Sequence, residues 1–193
     1  MPLPPSLDRE LLHVRNIDLR GFRRSDGAFE IEGRVTDIKN HSLQPPGRDA
    51  PLPVGVPIHD MSVRLVIDDN MRISEVIAVT DAGPYKDCPE ATESLNALRG
   101  ASIVPGWTAR VKGLLGAQSC THLVELLIPI ATVAYQTLAP VRFGRADRVN
   151  AAGKPVKIDS CYAYAQDRTL VKKLWPEHYN GPGSSDQHHR SSE

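Results

Sequence analysis

Gln118-Ser119-Cys120-Thr121-His122-Leu123-Val124-Glu125-Leu126 opens the longest periodic stretch of the chain. From Leu123 the apolar residues fall at Leu123, Leu126, Leu127, Ile130, Ala131, Ala134 and Leu138, the spacing of a helix with one face in a core. His122, Glu125, Thr132 and Gln136 make the other face. The spacing predicts a helix from Cys120 to about Thr137, kinked or split at Pro129, whose ring cannot donate to the helix ladder. Cys120 then stands in the first turn, where free backbone N–H groups and the helix dipole favour an anionic sulfur.

The segments before this helix read differently. Leu11–Leu19 predicts a strand, followed by a turn-like run from Arg20 to Gly27 that contains an Asp-Gly step. Ala28–Ile38 alternates cleanly: Phe29, Ile31, Gly33 and Val35 point one way, and Glu30, Glu32, Arg34 and Thr36 the other. Residues 39–57 are dense in Pro and Gly and predict a long connection. A further strand alternates at Met61, Val63, Leu65 and Ile67 after Pro57-Ile58-His59-Asp60. Asp68-Asp69-Asn70 turns the chain into another strand, Ile73–Thr80. Helices then follow: one with Cys88 as N-cap and Pro89 at its first position, a short one over Thr108–Leu115, and the long one. Residues 139–157 read as loop, and Ser160–Tyr164 as an edge strand. Strands first and helices after predict an α+β fold, an antiparallel sheet with helices packed on one face. One such domain is expected over 11–179, between a flexible arm at 1–10 and a disordered tail at 180–193 that carries His188 and His189.

Composition narrows the function. Lys plus Arg and Asp plus Glu each number 23 in a chain of 193 residues. That balance gives no one-sign field to attract nucleic acid or an anionic membrane. No basic-then-apolar leader opens the sequence, and no uninterrupted apolar run is long enough to span a bilayer. Three cysteines, Cys88, Cys120 and Cys161, are too few and too odd in number for a disulfide framework. Together these features predict a cytoplasmic protein that handles a small molecule, with a homo-oligomer left open.

The residues able to do chemistry cluster at element ends. Cys88 and Cys120 sit at predicted helix starts and His59 just before a strand, where side chains from separate elements can meet. His59 would be the proton shuttle, with Asp60 or Asp81 as its orienter, Arg64 as anion stabiliser and His122 as a further catalytic group. If Asp60 lies in the strand with His59 the two point apart, and Asp81 or Glu125 becomes the better partner. Alternatively His59, Cys88, Cys120 and His122 would hold a single Zn or Fe ion, although no Cys-x-x-Cys or His-x-x-x-His spacing supports it. The plainer alternative is that both cysteines are buried core residues and both histidines structural. Arg20 and Arg24 would either clamp a substrate anion or decorate a solvated turn. Tyr85, Trp107, Tyr135 and Tyr162 would either line a substrate pocket or belong to the core.

Taken together, Leu12-His13, Arg15, Asp18, Arg20-Gly21, Arg23-Arg24, Asp26-Gly27, Glu32-Gly33, Pro57-Ile58-His59-Asp60-Met61, Asp81, Cys88-Pro89, Pro105-Gly106-Trp107, Cys120-Thr121-His122-Leu123 and Trp175-Pro176 resemble the bacterial family named domain of unknown function 2889, over about residues 11–179. That resemblance implies a bacterial catabolic setting, with aromatic or acyl substrates. Residues 55–138 also resemble the iron–sulfur scaffold fold of the NifU/IscU type, which opens on Pro-x-Cys-Gly-Asp, turns at an Asp-Asp hairpin and starts its last helix at a His-Cys pair. Here His59 replaces the first cysteine, and the pair is reversed and spaced as Cys120-x-His122. That likeness implies that His59, Asp60, Cys88, Cys120 and His122 converge.

The expectation is therefore an enzyme, a lyase cleaving a bond in a small aromatic or carbonyl-bearing substrate by His-centred acid–base chemistry. A metal or iron–sulfur binding scaffold without turnover, and a protein-interaction module, stand as alternatives.

Overall fold

The computed structural model describes residues 3–142 and 149–182. The chain divides into two compact units, the first ending at Val141 and the second beginning at Arg142.

The first unit is α+β. Four strands, β1 (His13–Arg23), β2 (Phe29–Lys39), β3 (Pro57–Ile67) and β4 (Ile73–Ala82), form one antiparallel sheet in the order β1-β2-β3-β4. One face is apolar because β2 and β3 alternate: Phe29, Ile31 and Val35, with Met61, Val63, Leu65 and Ile67, are all buried. Helices cover that face. A 3-10 helix, Cys88–Leu98, contributes Leu95 and Leu98. Helix α1 (Trp107–Leu115) contributes Trp107, Val111 and Leu115. Helix α2 (Thr121–Arg142) contributes Leu123, Leu126, Leu127, Ile130, Ala134 and Leu138, the stripe its periodicity marks.

Two strand glycines set how closely α2 lies on the sheet. A Cβ on Gly33 would come within 2.9 Å of Ile130 Cδ1, and one on Gly21 within 1.7 Å of Thr137 Oγ1. The helix therefore crosses β2 at Gly33 and β1 at Gly21 with backbone and side chain in direct contact.

Several boundaries differ from the sequence-based expectation. β1 does not stop at Leu19 but runs to Arg23, because Gly21 and Arg23 pair with Ile31 and Phe29 of β2. β3 begins at Pro57 rather than Met61, since a bulge at Asp37/Ile38 shifts the register to pair Ile38 with Pro57. The helix after Asp87 is of the 3-10 type and is capped at Asp87, with Cys88 its first residue. Helix α2 continues through Pro129 and Pro140 as one element, so it is not split and the expected loop begins later. In length and apolar composition Thr121–Val141 also meets the requirements of a membrane span, with a mean hydropathy of 1.4. Core helices pass the same test, and here the apolar stripe is buried beside the sheet.

The second unit contains α3 (Thr169–Leu174), with buried Val171, and two short 3-10 helices. The expected edge strand at Ser160–Tyr164 is one of these, Tyr162–Tyr164. Asn180 bonds Gln166 through its backbone N–H (3.2 Å) and its side-chain amide (3.1 Å). The rest of the expected disordered tail, from 183 on and including His188 and His189, lies outside the described residues, as does 143–148 of the expected loop.

The close crossing at Gly21 yields a test. Gly21→Ala should lower the unfolding free energy by about 1–3 kcal/mol. Adding Thr137→Ala should recover part of it, because the nearest clashing atom, Thr137 Oγ1, is removed. Urea denaturation of the two variants measures this.

Candidate active site

The inward row of β2 reads Phe29, Ile31, Gly33, Val35 and then Asp37, a carboxylate in a position otherwise filled by core side chains. Asp37 is 2% exposed. A buried charge at such a place must be paired and hydrogen-bonded. The sheet register supplies the partners: Arg15 of β1 and His59 of β3 stand directly opposite Asp37 on either side. Arg15 grips both carboxylate oxygens, Nε to Oδ1 and Nη2 to Oδ2, each at 2.8 Å. His59 Nδ1 lies 2.9 Å from Oδ2, and His13 Nε2 3.1 Å from Oδ1. An ionised carboxylate only accepts, so Nδ1 of His59 carries the donated proton and Nε2 is left free of one in the neutral ring.

Burial raises the pKa of Asp37, but the bonds and charge of Arg15 and the bond from His59 outweigh it. The carboxyl is held down at about 2. Arg15 is raised in turn, chiefly by its hydrogen bond to Asp37. Its Nη1 also donates to Glu125 Oε2 of α2 at 2.9 Å, tying the edge of the sheet to the helix.

His59 belongs to the inward row of β3 and meets the start of α2. Its ring stacks on His122, with centroids 3.6 Å apart and planes tilted by 31°. His122 Nδ1 lies 3.6 Å from Cys120 Sγ. Cys120 precedes α2 and its carbonyl accepts from Val124 N–H (3.0 Å), so it occupies the N-cap position. Burial pushes the Cys120 thiol up. The hydrogen bond to His122, the backbone N–H groups of Leu123 and His122, and the His122 charge together bring it below the usual thiol range.

These groups open on a cavity of about 460 Å³, walled by His59, His122, Cys120, Cys88, Tyr85 and Ser119. That size suits a small organic ligand. Four of the expected residues, His59, Cys88, Cys120 and His122, thus share it, and Tyr85 lies at its side.

The others are elsewhere. Asp60 is not the orienter of His59: as neighbours within β3 the two point to opposite faces, and Asp60 is bound by Arg34 at 2.7 and 2.6 Å. Arg64 lies on that same open face, bound to Glu32 at 2.8 Å, so it stabilises no anion beside His59. Asp81, at the end of β4, is not part of the cavity wall; its charge adds to the larger effect of Asp60 in raising the pKa of Arg34. Arg20 bonds Asp18 and Arg24 bonds Asp26 and Glu30, so neither reaches the cavity. Trp107 is core, its Nε1 donating to Leu127 O at 3.0 Å. Tyr135 is an outward residue of α2, also outside the cavity wall.

The four-donor metal set does not form as expected. Among the described residues, the donor atoms that lie within 4.8 Å of one another are those of Asp37, His59 and His122, without either cysteine. Two imidazoles and a carboxylate are a known divalent-metal set. Asp37 fits it poorly, because its oxygens already accept from Arg15, His13 and His59. A guanidinium against the same carboxylate also repels a cation. The geometry fits Asp37 as the group that orients His59.

Asp37, Arg15 and His13 were not among the expected site residues. The signal was present: a carboxylate one step further along the apolar row of an alternating strand.

Fold and site together define an α+β protein with a histidine-lined cavity between one sheet face and a helix start. A profile of the family described as "Protein of unknown function (DUF2889)" matches residues 13–136, and the chain belongs to that family. No curated protein and no solved structure matches it, so the likeness to NifU/IscU-type scaffolds is not shown.

A folded pKa for Asp37 below its unfolded value means stability that is complete above about pH 4 and lost as pH falls toward 2. Wild type should therefore exceed Asp37→Asn by on the order of 2 kcal/mol near neutral pH, and this gap should close between about pH 4 and pH 2. Denaturation curves across that range check it.

Proposed function

We propose that the protein is an enzyme that cleaves a bond in a small aromatic or carbonyl-bearing molecule by acid–base chemistry, as a lyase or hydrolase. The observation that carries the reading is the 2.9 Å hydrogen bond from His59 to a buried carboxylate that Arg15 holds in place. Such a partner fixes the tautomer and ring plane of a histidine and stabilises the imidazolium when it takes a proton. His59 would then present Nε2 to a ligand, with Tyr85 at the cavity side and His122 stacked behind. A small-molecule substrate in the cytoplasm is the setting this reading assumes.

A second reading draws on the Asp37, His59 and His122 trio as a metal site without turnover. A divalent ion there would compete with Arg15 for Asp37. Metal analysis of the purified protein and of His122→Ala separates the two: stoichiometric metal lost in the variant supports the scaffold.

For the enzyme reading, turnover of a panel of aromatic esters, thioesters and β-hydroxy carbonyl compounds should be measured for wild type, His59→Gln and Asp37→Asn. Loss of about 10²–10⁴-fold in kcat for His59→Gln is expected, with a smaller loss for Asp37→Asn. Turnover unchanged in His59→Gln would remove the proposal.

A further inference from the structure

The cavity holds a group that the acid–base role of His59 leaves unused. Cys120 Sγ faces the same space, stands at the N-cap of α2 and lies 3.6 Å from His122 Nδ1. A thiol within hydrogen-bond reach of an imidazole, at a helix start, is the arrangement of an activated nucleophile. The imidazole is itself held, by stacking on His59. A further observation points to a ligand beside the sulfur. Ser119 Oγ, the hydroxyl of the adjacent residue in the same wall, is buried and has no hydrogen-bond partner. An unsatisfied buried hydroxyl costs free energy unless something accepts from it. Sγ also lies 3.8 Å from Met61 Sδ, a weak contact that leaves the sulfur available.

We propose that Cys120 is a covalent nucleophile that takes the acyl group of a small activated ester or thioester, with His122 as its proton partner and His59 as the base for the second half. This rests on the reading of the cavity as an acid–base active site and names its substrate class. In the first step His122 Nδ1 takes the thiol proton and Sγ bonds to the carbonyl carbon. The carbon–oxygen or carbon–sulfur bond to the leaving group breaks, and that group departs with the proton from His122. In the second step His59 Nε2 takes a proton from water, the hydroxide adds to the thioester carbon, and the carbon–Sγ bond breaks. Sγ leaves as the thiolate and takes that proton back from the His59 imidazolium, and the carboxylic acid is released. No oxidant or reductant enters.

The probe is p-nitrophenyl acetate with the full chain, followed by intact-mass spectrometry, peptide mapping and release of p-nitrophenolate. Acetylation of Cys120 should be at least about tenfold faster than that of exposed Cys161, which serves as an internal free thiol. In His59→Gln the Cys120 acetyl adduct should accumulate, because its hydrolysis slows while its formation continues. In Cys120→Ala the adduct and the turnover should both vanish while the chain still unfolds in one cooperative thermal transition. Labelling of Cys120 no faster than Cys161 overturns the proposal in the wild-type chain alone. Turnover that survives Cys120→Ala but not His59→Gln overturns it while leaving the acid–base reading intact. Turnover that survives both removes the two together.

Discussion

Asp37 lies across three strands' worth of pairing, and the cavity chemistry depends on it. A carboxylate at that depth is tolerable only because Arg15 and His59 meet it in register from both neighbouring strands. Removing the carboxylate leaves Arg15 without its main partner, but Arg15 is about a third open to water, which limits the loss to about 2 kcal/mol. The network therefore serves two ends at once. It locks the register of β1, β2 and β3 at their shared end, and it points one imidazole into the cavity.

Helix α2 provides the other half of the arrangement. Its apolar stripe and the two bare glycine positions on the sheet fix where it crosses, and so where its first turn falls. That turn brings His122 against His59 and places Cys120 at the point where unpaired backbone N–H groups converge. Glu125, one turn further along, reaches back to Arg15. The helix thus contacts both ends of the Arg15–Asp37–His59 row.

Much of this was legible in the residues, and the misses have physical reasons. The period-two pattern at 28–38 and the helical spacing after Leu123 place the sheet and its covering helix, because each has one apolar face to bury. The meeting of His59, Cys88, Cys120 and His122 followed from element ends sharing one edge. The partner of His59 did not, because Asp60 was adjacent in sequence while Asp37 was adjacent only through strand pairing. Pro57 closes the Pro- and Gly-dense stretch in sequence, yet a bulge at Asp37/Ile38 lets it join β3, so that Asp60 falls within the strand and faces away from His59. Arg15 carries no signal of its own within the predicted strand Leu11–Leu19, since pairing partners cannot be read from a single strand.

The central claim is that Asp37 sets the proton position on His59. Nitrogen-15 NMR of the histidine side chains tests it most directly. The account predicts that neutral His59 carries its proton on Nδ1, with a strongly hydrogen-bonded, slowly exchanging N–H that is lost or shifted in Asp37→Asn. A His59 protonated on Nε2, or a spectrum that Asp37→Asn leaves unchanged, would contradict it.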